Sequence, residues 1–201
     1  FKSRQDGQRP SRSVRPGLIA LPFISALMLD YHFAAQARSI LASLSGELPP
    51  MTIKAQGDRL VAEGAIFSGS AAVLERRLAE HPNVRVIELS SPGGYVKEAV
   101  RMANMIEKRG LDTLIRRDCR SACVELFAAG TRRLMHKDAI VGLHSVWTTA
   151  PGADDQVRKA NRDFADRLHR KGVEPRFLMV GTRTPGDDMW INTARQAYIA
   201  G

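Results

Sequence analysis

The sequence predicts an α/β domain with a mostly parallel sheet, preceded by an N-terminal apolar helix. Three observations carry this. Apolar runs that read as strands alternate with helical segments from Arg59 to the end of the chain. The 201 residues suffice for one domain with a real core, and 44% hydrophobic with 25% charged residues is ordinary for a globular protein. Between Val84 and Ser145, three apolar runs end in a Ser-Pro-Gly-Gly turn (Ser91 to Gly94), in Ser121 and in His144. Ligands of open α/β sheets bind outside the carboxyl ends of strands, so these three ends are where chemistry is expected.

In chain order, residues 1–16 form a basic tail: Lys2, Arg4, Arg9, Arg12 and Arg15 face a single Asp6 and supply part of the net charge of +9. Such a tail suits nucleic acid or anionic lipid. No RNA-binding aromatic motif and no zinc-finger spacing accompany it, so nucleic-acid binding is set aside. Residues 17–43 contain the apolar run GLIALPFISALML, short for a span of about 20 residues. With the arginines before it and the small residues of FAAQA after it, the run reads as a signal peptide or membrane anchor. An amphipathic helix packed on the domain is the alternative. Either export reading leaves the rest of the chain outside the cytoplasm. The chain opens on Phe1 rather than Met, so its start reads as truncated.

Residues 44–57, with Pro49-Pro50, read as a linker, and residues 58–201 as the folded domain. Arg59 to Phe67 reads as a strand bent at Gly64. Ser68 to Ser70 would cap a helix to Glu80, with Leu74 and Leu78 on one face. Val84 to Leu89 is a short strand. Tyr95 to Arg109 is a helix with Val96, Val100 and Ala103 on one side, stopped by Gly110. Leu111 to Ile115 is a strand and Ser121 to Ala129 a helix. Arg133 to Met135 and Ile140 to Leu143 are strands, Asp154 to Lys171 is a polar helix, Gly181 to Asp188 is a loop, and a last helix starts at Thr193.

Each motif has a plain reading beside the chemical one. The adjacent glycines of Ser-Pro-Gly-Gly can present backbone N–H groups to an anion or oxyanion, or merely turn the chain. Ser121 is either an N-cap or a nucleophile at a helix N-terminus. His144 is either structural or the base that takes the serine proton, in which case an acid must orient it. Cys119 and Cys123 are too sparse for zinc; they read as two buried thiols or, in an exported chain, as a disulfide. Neither a metal nor an organic cofactor is called for.

The run of SPGG, a helix, SACVELFAAG and a strand ending in His resembles the Clp protease proteolytic subunit and its relatives in the ClpP/crotonase superfamily. It is more similar still to periplasmic ClpP-like proteins with a Cys-x-Ser-Ala-Cys turn. The resemblance covers Arg59 to Gly201 and implies a repeated ββα superhelix with a C-terminus that looks cut short. It implies Ser121 as nucleophile, His144 as general base, and the Gly94 and Ala122 N–H groups as oxyanion hole. Gly93 and Arg120 would contact substrate. Asp188, before Met-Trp-Ile-Asn-Thr, matches the family's acid better than Asp187, and both match better than Asp163 or Asp166. The expectation is a periplasmic or membrane-anchored serine peptidase, acting through an acyl-enzyme on a peptide or protein and open to homo-oligomer formation. Its rivals are a non-catalytic ClpP-like binding module and a crotonase-type acyl-CoA enzyme, for which Glu125 is the nearest carboxylate.

Overall fold

The computed structural model describes residues 48–148 and 151–200. The basic tail and the apolar segment of residues 17–43 lie outside the described residues. The elements run β1 (Thr52–Gln56), β2 (Arg59–Glu63), α1 (Ser70–Glu80), β3 (Val86–Ser91), α2 (Val96–Lys108), β4 (Asp112–Arg120), α3 (Cys123–Ala128), β5 (Arg133–Met135), β6 (Ile140–Leu143), α4 (Asp154–Arg170), α5 (Pro175–Arg183), β7 (Trp190–Thr193) and α6 (Ala194–Ile199). Seven strands form one sheet in the order β1-β2-β3-β4-β6-β7, with β5 also beside β4. The pairings among β2, β3, β4, β5 and β6 are parallel; those of β1 with β2 and of β6 with β7 are antiparallel.

The antiparallel edges depart from the sequence reading. Thr52–Gln56 lies inside the stretch read as linker, and pairs residue for residue with Arg59–Glu63 across a turn at Gly57. Trp190–Thr193 lies where only a loop and a helix were expected, and Pro175–Arg183 forms a further helix. Both edge strands are short, β1 mostly exposed and β7 exposed at two of its four residues, so neither shows the apolar run that marks the central strands.

The core is formed by Leu60, Ile87, Leu89 and Ile115 on the sheet, facing Leu74 and Leu78 of α1, Met102 and Ile106 of α2, and Leu126 of α3. Each such side chain contributes about 1.5–3 kcal/mol by leaving water. α2 buries Ala99, Met102, Ala103 and Ile106, whereas Val96 and Val100 only part-bury and face a cleft. The α1 cap also differs from expectation. Ser70 Oγ accepts from the Phe67 N–H at 3.0 Å, outside the helix, and the Ala71 N–H donates to the buried Glu98 Oε2 of α2 at 3.0 Å. A carboxylate from another element serves this helix end, where an anion is favoured.

β4 carries the irregularity that builds the site. Leu89 faces Ile115, but Ser91 faces Cys119, so β4 holds extra residues between these pairs. The bulge turns Arg116 and Arg117 to solvent and lets Asp118 to Arg120 leave β5 and pair with β6. Arg116 Nε donates to Glu88 Oε1 at 2.6 Å and Arg59 donates to Glu88 Oε2 at 3.1 Å across the same sheet face. The Arg116 hydrogen bond is the main reason that the Glu88 carboxyl sits below its ordinary pKa, against the opposing cost of burial. A depressed carboxyl contributes stability above its unfolded pKa and loses it as pH falls through the folded value. Glu88→Gln is therefore expected to cost about 1–2 kcal/mol at pH 7 in urea unfolding, with the gap narrowing as pH falls through and below the ordinary glutamate range. An equal gap at neutral and acid pH would rule out the ion pair as its source.

Candidate functional site

Ser121 sits in the two-residue joint between Arg120, which ends β4, and Cys123, which begins α3. Its φ of 52° makes it the sole non-glycine residue with positive φ among the described residues. That left-handed conformation is unfavourable for an L-residue and marks a constrained position. Two hydrogen bonds hold it: the Ser121 N–H donates to Gly142 O at 2.8 Å, and the Ser121 carbonyl accepts from the Val124 N–H at 3.0 Å. The N-cap position of α3 belongs to Ala122, with no side-chain cap, so Ser121 Oγ is not spent on capping the helix. The hydroxyl makes no hydrogen bond among the described residues.

The Ser-Pro-Gly-Gly turn packs directly on this joint. Gly93 and Gly94 have φ of 100° and 137°, conformations that glycine adopts without strain. A side chain at Gly93 would lie 2.7 Å from Arg120 O, 2.7 Å from Ser121 Cβ and 3.0 Å from Ala122 N. The Gly93 N–H is taken by Ser91 Oγ at 3.1 Å and its carbonyl by the Ile66 N–H at 2.7 Å. Gly93 thus supports the serine joint, and its N–H is already taken. The N–H groups of Gly94 and of the buried Ala122 donate to no acceptor among the described residues. An unspent buried N–H is rare and invites a ligand oxygen.

His144 follows β6, whose Gly142 pairs with Arg120 beside Ser121. Burial holds its imidazole below the ordinary pKa; a contact with the Ser145 backbone opposes this, short of hydrogen-bond geometry at the buried Nδ1. Burial thus favours the neutral form of the ring. No hydrogen bond joins His144 to Ser121, and His144 Nδ1 has no partner. Asp188 is exposed and its Oδ1 accepts from its own neighbour, the Met189 N–H, at 2.7 Å. Leu143 pairs with Trp190, so the chain before β7 runs beside the chain after β6. Asp187 is likewise exposed; Asp163 pairs with Lys159 at 2.6 Å on α4. Arg120 is engaged: its Nε lies 3.2 Å from Asp118 Oδ2, and its stem and Met189 cover Gly142.

Cys119 and Cys123 are joined by a disulfide that spans Ser121, with Cα atoms 5.4 Å apart. The sequence reading leaves separate thiols and a disulfide both open. Cys119 is the penultimate residue of β4 and Cys123 the first of α3, so the bond crosses the strand-to-helix joint. Glu125 is buried and donated to by Arg167 of α4, so it is not the free carboxylate that a crotonase-type site needs. Burial still pushes its carboxyl pKa up, with Arg167 opposing. No group of His, Cys, Asp and Glu among the described residues is arranged to hold a metal ion.

No family model matches the sequence, and neither does any curated protein. Among solved structures, a point mutant of ClpP1 from Listeria monocytogenes is similar, with a TM-score of 0.62 and 14% identity over 72% of this chain and 87% of that one. The fold is ClpP/crotonase-like.

In this ClpP-like frame a cleft of about 740 Å³ opens beside Gly94, between Tyr95 and Val96 at the start of α2, Val146 and Trp147 after His144, and Ala160 of α4. Tyr95 and Trp147 are 57% and 58% exposed, a large aromatic share for a surface in contact with water. Asn161 escaped the sequence reading. Its Oδ1 accepts from the Val146 N–H at 2.7 Å and its Nδ2 donates to Val146 O at 3.1 Å, pinning the cleft wall to α4. Amid the charged residues of that helix, nothing in the sequence marks one asparagine as turned inward.

Proposed function

We propose that the protein is a serine hydrolase of the ClpP-like class, cleaving peptide bonds through an acyl-enzyme. Ser121 Oγ attacks the carbonyl carbon, and His144 takes the hydroxyl proton and returns it to the leaving amine. The Gly94 and Ala122 N–H groups receive the oxyanion. What carries the reading is the packing of Gly93 on Ser121 and Ala122, which sets an uncapped, left-handed serine beside two unspent N–H groups. Asp188 would swing from Met189 to the free Nδ1 of His144 when substrate fills the cleft. Catalytic hydrogen bonds often tighten only in the complex. The cleft beside Gly94 suits an extended peptide with apolar side chains. Export fits the disulfide and the arginine-led apolar run of residues 17–43. Among the described residues no helix is long and apolar enough to cross a membrane. Assembly with further copies of the chain belongs to the same proposal.

Ser121→Ala is expected to abolish labelling by a fluorophosphonate probe, read by intact mass and gel fluorescence. Undiminished labelling would refute the assignment. A second reading, a ClpP-like module that binds a peptide without cleaving it, is favoured by the unpartnered His144 Nδ1 and the turned-away Asp188. It predicts no labelling of the unaltered protein, together with saturable peptide binding that Trp147→Ala weakens.

A further inference from the structure

We infer that the Cys119–Cys123 disulfide is a positioning device for Ser121, so that the reactivity of this serine depends on the redox state of the pair. The inference rests on the reading of Ser121 as nucleophile. Three observations carry it. The bond brackets the sole non-glycine residue held at positive φ among the described residues. It ties two elements with separate supports: Cys119 is locked in the sheet between Ser91 and Val141, and Cys123 starts the buried helix α3. Both half-cystines are fully buried, against the same joint on which Gly93 packs.

A disulfide with a sequence separation of only 4 removes little freedom from the unfolded chain, since the entropic gain grows with the loop closed. As a global staple it is a poor choice. Its effect falls on the residues between its ends, where it restricts how far Cys123 can rotate relative to β4. Without it, the Ser121 N–H bond to Gly142 O, the Val124 N–H bond to Ser121 O and the packing of Gly93 would be left to hold an unfavourable φ. Relaxation of φ would swing Oγ away from the two N–H groups. The chemistry balances with a dithiol. The S–S bond breaks, two electrons and two protons arrive as two thiols on Cys119 and Cys123, and dithiothreitol leaves as its cyclic disulfide.

The test compares air-oxidised protein, protein prepared under dithiothreitol throughout, and the double variant Cys119→Ala/Cys123→Ala. Thiols are counted by alkylation and mass after denaturation, and folding is checked by circular dichroism. Fluorophosphonate labelling is followed over a range of probe concentrations. The expected result is a maximal inactivation rate about tenfold or more lower in the reduced protein and the variant, with half-saturation unchanged. Reoxidation should restore the reduced protein and leave the variant unchanged. A purely structural staple would shift the melting temperature and leave that rate alone. Equal maximal rates in all three, or two alkylatable thiols in the air-oxidised protein, would overturn the inference while leaving Ser121 as nucleophile. If the double variant does not fold, the reduced protein carries the comparison. If even oxidised protein takes no label, the hydrolase reading fails, and amide hydrogen exchange over residues 119–126 decides the positioning role. Faster exchange on reduction supports it, and identical exchange sinks it.

Discussion

Gly93→Ala is expected to lower the labelling rate of Ser121 by about a hundredfold or more and to destabilise the domain by about 2–4 kcal/mol. Two separate costs add at this position. The backbone at Gly93 has φ of 100°, a region in which alanine is strained wherever it stands. The added Cβ would also lie 2.7 Å from Arg120 O and from Ser121 Cβ. Neither neighbour can yield cheaply, because the first is main chain inside the β4–β6 ladder and the second belongs to the residue already held at positive φ. The turn must lift, or the serine joint must retreat. Either movement displaces Ser121 from the Gly94 and Ala122 N–H groups, and misplacement on the order of 1 Å costs about a hundredfold in rate. Gly57→Ala provides the contrast. It too has positive φ, at 61°, but nothing lies within 4 Å of its missing Cβ. It should cost about 1 kcal/mol and leave labelling untouched. Similar labelling in both variants would show that the glycine turn does not support the serine.

His144→Asn is expected to reduce labelling and any peptide hydrolysis by about 10²–10⁴-fold, the usual contribution of a positioned base. The pH profile of the unaltered protein supplies the finer check. Burial depresses the imidazole pKa below the ordinary value of about 6.5. The base is neutral and competent above its folded pKa, so activity should fall with decreasing pH only below about 6.5. Stability follows the same sign. A histidine that binds its proton less tightly when folded contributes full stability above its unfolded pKa, and the contribution shrinks as pH falls through the folded value. His144→Asn should therefore flatten the acid side of the melting-temperature curve as well as remove activity. An acid limb at or above 6.5, or an unchanged rate in the variant, would remove His144 from the mechanism and leave the peptide-binding reading.

Much of this molecule was legible from residue types alone. The central strands carry apolar residues on the face that packs against the helices, and helices at 3.6-residue spacing alternate with them, so the parallel α/β layout could be read directly. Ser-Pro-Gly-Gly, Ser121 and His144 were visible because each interrupts such a run where the chain must turn. The edges were not legible: β1 sits behind two prolines, and β7 spans four mostly exposed or part-buried residues, so each is a strand only because a neighbour supplies its hydrogen bonds.

Tertiary structure alone decided the rest. The bulge in β4 that carries Cys119 and Arg120 across to β6 depends on a register between strands far apart in the chain. The same holds for the Glu98 cap on α1, the Asn161 clamp on Val146 and the direction in which Asp188 points. The cysteine spacing left a disulfide open, and the fold placed one cysteine on a strand and the other on the following helix, with Ser121 between them. Local sequence determines which segments form strands, helices and turns, because those preferences act over a few residues. Which side chains then meet is set by register and packing between distant segments, and only the folded chain contains those contacts.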